Sequence, residues 1–310
     1  MTSAFGDLTV IANPNAAGGA VGSQLPELEA ALHERGLAYT LHVTGAREEP
    51  SAIAAAALRA GGRYLVAVGG DGTVQQVLNG MFDDDGRPLG TDPVLGVVAA
   101  GSACDLVRSF GLPGETRPAV GHLTGETTYD FDVVRITSTG PAGERMTRYS
   151  HNLAEAGFGA AVHLRQARLP AWTGRARSFL AFWLTLARTR LAQVTVEADT
   201  KRYEGPAYNV VVANAQFGAG GLRLSPRSFP GDGVLDALVF RGPRSDAVTM
   251  LPRIYRHGDH VPDPHIREMR AKIRVAVDAD RPLPIEADGE PLGTTPATFQ
   301  IVPRALRLKL

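Results

Sequence analysis

The residues best suited to chemistry are those at positions 69–73, which have the sequence Gly-Gly-Asp-Gly-Thr. They follow an apolar run at 64–68, which predicts a strand buried on both faces, and they precede a predicted helix from about 73 to 81. Glycines permit the backbone angles of a tight turn, and the N–H groups of a helix N-terminus attract phosphate. The pattern therefore predicts a phosphate-binding loop.

The acidic and hydroxyl side chains of this loop fit the same interpretation. Asp71 beside a phosphate suits a bridging divalent cation, and Thr73 can cap the helix or donate its hydroxyl to a phosphate oxygen. The alternative is a glycine-rich strand-to-helix turn in which Asp71 is only the helix cap. Two more glycine-bearing loops, at 13–19 and 101–105, follow other apolar runs. Each is ordinary turn chemistry alone, but open α/β sheets bind ligands at the carboxyl ends of their strands.

Alternating strands and helices are predicted to position these loops. The predicted strands are 8–12, 39–43, 64–68 and 94–99, and the predicted helices are 23–35, 51–60, 73–81 and 103–110. Such alternation predicts a parallel sheet covered on both faces. The first domain is therefore expected to be of the α/β class and to extend to about residue 128.

The remainder of the chain has a different sequence pattern. Its predicted strands, separated by Gly, Pro and Asp turns, are 131–137, 194–198, 208–213, 234–240, 272–277 and 297–302. One helix is predicted at about 175–191. This pattern predicts a second, β-rich domain.

Composition restricts the class of protein. The chain has 310 residues and 44% hydrophobic residues, which favours two domains with sizeable cores. Lys+Arg and Asp+Glu both number 32, so no net field attracts nucleic acid. The single cysteine, Cys104, excludes an internal disulfide. The start lacks a secretory pattern, and the longest apolar run, 179–187, is far shorter than the ~20 residues of a membrane span. We expect a cytoplasmic protein that is at most peripheral at the membrane.

Together the loops resemble the diacylglycerol kinase catalytic region, which is shared by bacterial lipid kinases, eukaryotic diacylglycerol kinases and sphingosine kinases. The central motif of that family is similar to residues 69–80, its first nucleotide loop to 13–19, and its Gly-Thr-x-Asn-Asp-Phe-Ala-Arg segment to 94–108. Further family elements are similar to residues 152–160, 214–236 and 288–290. Because these matches keep the family order over almost the whole chain, they are more specific than any single loop.

The resemblance implies an NAD-kinase-like α/β domain and a β-sandwich domain with a cleft between them. The domains would be 1–128 joined by 303–310, and 129–302. The implied activity is transfer of the γ-phosphate of ATP to a lipid hydroxyl, with Mg²⁺ as cofactor and diacylglycerol as the favoured acceptor. The implied ATP contacts are Asn13, Pro14, Gly18, Thr44, Gly69, Gly70, Asp71, Gly72, Thr73, Gly101 and Ser102.

The resemblance also assigns the acidic residues of the second domain. Asp288 would be the catalytic base, with Glu290 beside it. The implied metal site combines Asp232, the carbonyls of Phe229 and Val234, and a water-mediated contact to Asp71. From the residues alone, Asp288-Gly289 is a hairpin turn, and Asp232-Gly233 can be both a turn and a metal site.

Two departures from the family pattern leave alternatives open. Ser102 stands where threonine is usual and keeps a hydroxyl, but Cys104 stands where asparagine is usual and offers only a weak donor. A nucleotide-binding regulatory protein with impaired catalysis is therefore one alternative. The other is an NAD kinase-like enzyme, since such enzymes use the same Gly-Gly-Asp-Gly-Thr sequence. The acceptor lipid and a homo-oligomeric state are left open.

The segment 156–196 contains no Asp or Glu but carries several arginines and both tryptophans, Trp172 and Trp183. Basic and large apolar side chains together suit an anionic bilayer, so 163–190 is the candidate for peripheral membrane contact. The alternative is a helix that packs on the β-rich domain and leaves its arginines in solvent. Its packing residues would be Phe179, Phe182, Trp183 and Leu186.

Overall fold

A computed structural model of the chain describes residues 3–45, 49–83, 85–99, 104–256 and 258–310. The predicted contacts Gly101 and Ser102 lie outside the described residues. The chain divides into two compact units, one formed by Met1–Val133 with Val302–Leu310 and the other by Val134–Ile301.

The first unit contains a parallel sheet and the helices that pack on it. Its strands are β1 (Leu8–Ala12), β2 (Tyr39–Val43), β3 (Tyr64–Gly69) and β4 (Val94–Ala99). Its helices are α1 (Ala20–Glu34), α2 (Pro50–Arg59), α3 (Asp71–Asn79), α4 (Asp105–Phe110) and α5 (Thr116–His122). The strand order is β2-β1-β3-β4, and the end of the chain adds a parallel strand along β4, with Arg307 opposite Val94.

The first unit's sheet is buried at its centre. Every residue of β3 and β4 is buried, because both strands have neighbours on each side and helices over the sheet. Helix α1 contributes Leu28, Ala31 and Leu32, which follow the i, i+3, i+4 spacing of one helix face. The prediction of an α/β parallel sheet is confirmed, and the carboxyl ends of β1, β3 and β4 lie at one edge.

The second unit is mostly antiparallel sheet. Strand β5 (Thr128–Thr139) runs from the first unit into the second. The elements that follow are β6 (Arg145–Ser150), β7 (Leu153–Gly157), α6 (Phe158–Arg168), a 3-10 turn (Ala171–Ala176), α7 (Arg177–Arg188), β8 (Ala192–Ala198), β9 (Lys201–Ala207), β10 (Asn209–Ala213), β11 (Leu235–Phe240), α8 (Asp246–Thr249), α9 (Leu251–Arg256), β12 (Ile266–Ala271), β13 (Arg274–Ala279), β14 (Pro284–Ala287) and β15 (Glu290–Lys309).

One run of neighbouring strands in this unit has the order β12-β11-β10-β7-β14-β15, and β13, β8 and β9 continue from β15. Alternate residues of β10 enter different cores: Val210 and Val212 pack among the strands, whereas Val211 packs with α6, α7 and α9. This period of two is the expected consequence of strand geometry. One face of β7, β10 and β11 therefore supports the helices.

Several elements of the second unit escape the sequence patterns. Its strands β6, β7, β9, β12 and β14 and its helices α6, α8 and α9 were not predicted, because they are short or lack a clear apolar period. The same holds for helix α5 of the first unit. The helix predicted at 175–191 is α7, preceded by a 3-10 turn. Among the described residues, no helix is both long enough and apolar enough to span a bilayer.

Candidate functional site

The predicted phosphate loop, 69–73, spans the junction of β3 and α3, because Gly69 ends β3 and residues 71–73 form the first turn of α3. Helix α3 begins at Asp71 and has Gly70 as its N-cap residue, so neither Asp71 nor Thr73 caps it as the sequence suggested. The backbone N–H groups of Thr73 and Val74 donate to the carbonyl of Gly70 at 3.0 and 3.1 Å. The positive end of the α3 dipole therefore lies within the predicted loop.

Gly69 of this loop is needed for space rather than for a special backbone angle. None of Gly69, Gly70 and Gly72 has a positive φ, so that part of the prediction is wrong. A Cβ at Gly69 would overlap the Thr73 side chain, which is buried against it. Glycine at 69 thus lets the first turn of α3 pack directly on the end of β3.

The loop after β1 lies at the same sheet edge. Ala12 is opposite Val68 in the parallel pair β1–β3, and the N–H of Asn13 donates to the Val68 carbonyl at 3.4 Å. The hydroxyl of Thr44 donates to the Ala12 carbonyl at 3.3 Å, and the carbonyl of Pro14 accepts from Gly22 at 3.3 Å. Gly18 belongs to the 3-10 turn Ala16–Gly19. Pro14 therefore ties this loop to the first turn of α1, and Thr44 contacts the end of β1.

Asp71 connects the predicted phosphate loop to the start of α4. Its carboxylate accepts the N–H of Asp105 at 2.9 and 3.1 Å and the N–H of Leu106 at 3.2 Å. These are first-turn donors of α4, whose own N-cap residue, Cys104, makes no side-chain cap. Asp71 thus caps a helix from a distant part of the chain. Its predicted role in metal binding stays a prediction.

Cys104 is buried beside this carboxylate, with Sγ 3.7 Å from Asp71 Oδ1. Burial raises the pKa of the thiol well above its ordinary value, and the neighbouring Asp71 carboxylate raises it further. The thiol is therefore protonated at neutral pH and acts as a weak donor to Asp71.

We expect Cys104→Asn to lower the KM for the ATP that the family resemblance implies, or to raise kcat, because an amide N–H is a stronger donor to Asp71 than a thiol. One improved hydrogen bond of about 1 kcal/mol corresponds to roughly a fivefold gain in kcat/KM. Steady-state kinetics of both proteins measure it. An unchanged or lower kcat/KM would show that the site is adapted to the thiol.

The acidic turn at 288–290 joins β14 to β15. Asp288 and Gly289 have φ values of 50° and 86°, and Ala287 pairs with Glu290, as in a two-residue hairpin. The turn interpretation is therefore correct for the backbone. It leaves open what the carboxylates do.

The Asp288 carboxylate is completely buried and held by the chain before β7. It accepts N–H groups from His151 at 2.8 Å, Asn152 at 3.1 Å and Leu153 at 3.2 Å. The Nδ1 atom of His151 lies 2.9 Å from the same carboxylate. Glu290 is half-buried, and burial raises its pKa. The turn therefore carries one firmly held carboxylate and one more accessible carboxyl group.

The predicted metal ligands of the second unit have other partners. Asp232 lies 3.3 Å from the guanidinium of Arg270, and its Oδ1 accepts the N–H of Val234 at 3.0 Å. The carbonyl of Phe229 accepts N–H groups from Gly231 at 2.8 Å and Asp232 at 3.3 Å. In the described part of the chain, no three His, Cys, Asp or Glu side chains come together as metal ligands. The metal role of Asp232, Phe229 and Val234 therefore stays a prediction.

A buried pair of carboxyl groups behind the acidic turn is absent from the predicted site residues. Glu155 on β7 is directly opposite Glu286 on β14 in the antiparallel register. Their strand neighbours, among them Ala156 and Ile285, point into the core between the strands, so both glutamates point to the side of α6. A Cβ at Gly159 of α6 would overlap the Glu155 carboxyl group. Two like carboxyl groups thus share an enclosed space.

These glutamates join α6 to the acidic turn. Glu155 accepts from Asn209 Nδ2 at 2.6 Å, and Asn209 Oδ1 accepts the N–H of Gly159 at 3.2 Å. Glu286 accepts the N–H of Gly289 at 3.1 Å. The available signals were a glutamate inside the apolar run of β7 and another two residues before Asp288. Sequence alone does not show that the two meet.

Replacement of Glu286 by glutamine tests this pair through pH. Burial raises the pKa of both glutamates, and the Glu155 carboxylate raises that of Glu286 further. The folded state therefore binds more protons than the unfolded one. The stability that these protonated glutamates contribute is fully present below the ordinary pKa of glutamate. It is lost as the pH rises through their raised pKa in the folded state. Glu286→Gln removes this loss, so we expect a Tm a few degrees above wild type at neutral pH and a smaller difference near pH 4.

Thermal unfolding between about pH 4 and pH 8 measures the effect. Glu204→Gln, on the exposed strand β9, is the matched control and should follow the wild-type curve. Parallel Tm curves for wild type and Glu286→Gln would contradict the raised pKa of Glu286 in the folded protein.

Comparison with known proteins identifies the family. Residues 7–136 match the diacylglycerol kinase catalytic domain, and residues 152–310 match the YegS C-terminal NAD kinase beta sandwich-like domain. The chain is 27% identical over 308 residues to a diacylglycerol kinase of Mycobacterium tuberculosis, covering 98% of this chain and 95% of that protein. It is 29% identical over 283 residues to a "probable lipid kinase YegS-like" of Pseudomonas aeruginosa, covering 91% of this chain and 87% of the other.

A solved structure supports the fold. The crystal structure of a diacylglycerol kinase from Bacillus anthracis covers 98% of this chain and 96% of its own, with a TM-score of 0.70 at 18% identity. The expected fold, an α/β domain followed by a β-sandwich-like domain, is therefore confirmed. With both domain models matching in order along the chain, the protein belongs to the family of diacylglycerol kinases and YegS-type lipid kinases and is a lipid kinase-like enzyme.

Proposed function

We propose that the protein transfers the γ-phosphate of ATP to the hydroxyl group of a lipid, with diacylglycerol as the favoured acceptor. The observation that carries this proposal is the sheet edge formed by the β3–α3 loop and the start of α4, which Asp71 connects. The positive end of α3 at this edge suits a nucleotide phosphate chain. Family membership supports kinase activity. ATP as the phosphate donor and diacylglycerol as the acceptor are our proposal.

In the first unit, the loops after β1 and β3 hold ATP. The backbone at 69–73 binds phosphate, because Gly69 lets α3 begin against the strand without an intervening side chain. The loop at 13–19 lines the other side of the ATP site through Asn13 and the turn that follows it. Kinases of this kind use ATP, usually with a divalent cation. The predicted ligands of that cation have other partners. We therefore assign roles in ATP binding and proton transfer only to the protein's own side chains and N–H groups.

In the second unit, the acidic turn accepts the proton of the lipid hydroxyl. We assign this role to Asp288, with Glu290 supporting it. The bonds from 151–153 orient the Asp288 carboxylate but also enclose it. Proton transfer therefore requires one acceptor position to be released, and the contact with the His151 imidazole is the one that a side-chain rotation can release.

A phosphorylation assay tests the proposal. Purified protein is incubated with radiolabelled ATP and, separately, diacylglycerol, sphingosine or phosphatidylglycerol in mixed micelles, or NAD in solution. We expect label in phosphatidic acid. Label in NADP would favour the NAD kinase-like alternative. ATP binding without transfer to any acceptor would favour a regulatory nucleotide-binding protein.

A further inference from the structure

Helix α7 and the turn before it expose large apolar side chains. Trp172 is 84% exposed, Phe179 64% and Trp183 44%. We define the aromatic face as the exposed apolar side chains of α7 and of the segments directly before and after it: Trp172, Phe179, Leu180, Trp183, Leu184 and Leu191. The predicted alternative, in which Phe179 and Trp183 pack on the β-rich domain, is therefore wrong for these two residues. An exposed apolar patch of this kind marks an interaction surface more often than a free one.

The helix that carries this face is well anchored in the second unit. Ala181, Thr185 and Leu186 form its inner face and are buried. The Thr185 hydroxyl accepts from Arg165 Nε of α6 at 2.9 Å. Arg244 donates to the carbonyl of Ala187 at 3.0 Å. The outward direction of the aromatic face therefore follows from fixed contacts on the other side of the helix.

The charges around the aromatic face select its partner. Residues 156–196 contain no Asp or Glu, and Arg168, Arg188 and Arg190 are exposed. An anionic bilayer complements both features, because its headgroups attract arginine and its interface accommodates tryptophan. A second copy of the chain fits less well, because a symmetric contact would place this arginine-rich surface against itself.

We propose that the aromatic face, together with Arg168, Arg188 and Arg190, docks the protein on an anionic lipid bilayer. The inference rests on the proposed function, in which the acceptor is a bilayer lipid. Docking by α7 brings the second unit, which carries the acidic turn, to the surface where that acceptor resides. The tryptophans enter the interface and the arginines contact headgroup phosphates.

Vesicle sedimentation without ATP tests the docking surface. Wild type is mixed with vesicles of phosphatidylcholine containing about a third phosphatidylglycerol, and with pure phosphatidylcholine. We expect binding to the anionic vesicles that weakens with added salt. The triple variant Trp172→Ala, Phe179→Ala, Trp183→Ala should bind roughly tenfold more weakly, and Arg188→Gln, Arg190→Gln should lose the preference for anionic vesicles.

Tyr255→Ala, Ile273→Ala is the matched control, because both side chains are more than half exposed in the same unit but lie outside the aromatic face. It should bind as wild type does. The proposal would be overturned if wild type does not bind anionic vesicles, or if the triple variant binds them as strongly as wild type does. It would also be overturned by a triple variant that changes only from dimer to monomer in light scattering, since the face would then be a contact between copies.

A second assay separates this inference from the proposed function. With short-chain diacylglycerol in detergent micelles, the triple variant should keep the wild-type kcat while losing vesicle binding. Vesicle binding by a wild type that phosphorylates no acceptor would contradict the proposed function alone. Micellar activity without vesicle binding would contradict the docking surface alone.

Discussion

Asp71→Ala is expected to reduce kcat/KM for ATP-dependent phosphorylation at least tenfold, a loss of about 1.4 kcal/mol in transition-state stabilisation. The Asp71 carboxylate accepts two N–H groups from the start of α4, and the residues of that start are buried. Its removal leaves these donors without their acceptor and releases the phosphate loop from its neighbour. Loss of a helix cap costs about 1 kcal/mol, so the fold should persist with a lower Tm.

Two companion variants separate a positioning role from a cation-binding role. Asp71→Asn keeps one acceptor for α4 but loses the charge, so near-normal kcat/KM in this variant would support positioning alone. A rise in the Mg²⁺ concentration needed for activity would support the predicted metal role. Asp85→Ala, at an exposed position of the same unit, should behave as wild type. If Asp71→Ala keeps more than a tenth of the activity, Asp71 is only a cap.

Asp288→Asn is expected to bind ATP normally and to lower kcat at least a hundredfold, within the range of general-base catalysis. Asparagine tolerates the positive φ at 288 and keeps the side-chain shape, but it cannot take a proton. The predicted ATP contacts lie in the first unit, which supports unchanged nucleotide binding. Nucleotide titration and single-turnover kinetics measure the two quantities.

The Tm of Asp288→Asn shows how Asp288 acts. If kcat falls together with a large fall in Tm, Asp288 only anchors the turn to residues 151–153. A large loss in Glu290→Gln alone would assign the proton acceptor to Glu290. Asp278→Asn, exposed on β13, is the control, and a near-normal kcat in Asp288→Asn would remove the assignment.

The class of the first unit and the place of its predicted phosphate loop follow from local sequence. Apolar runs such as 64–68 and 94–99 are visible locally, because a central parallel strand is buried along its whole length. Glycine and aspartate at a strand end are likewise local signals. The acidic turn is visible for the same reason, since Asp-Gly favours a hairpin irrespective of what surrounds it.

The groups that these residues meet depend on the packing of distant segments. Asp71 caps a helix that begins 34 residues away, and Asp288 is held by N–H groups 135 to 137 residues before it. The pairing of Glu155 with Glu286 depends on β7 lying beside β14, and the exposure of Phe179 depends on which face of α7 the strands occupy. Sequence periodicity indicates that a residue is buried or lies on a given face. It does not specify the neighbouring strand, because that choice is made by the packing of the whole unit.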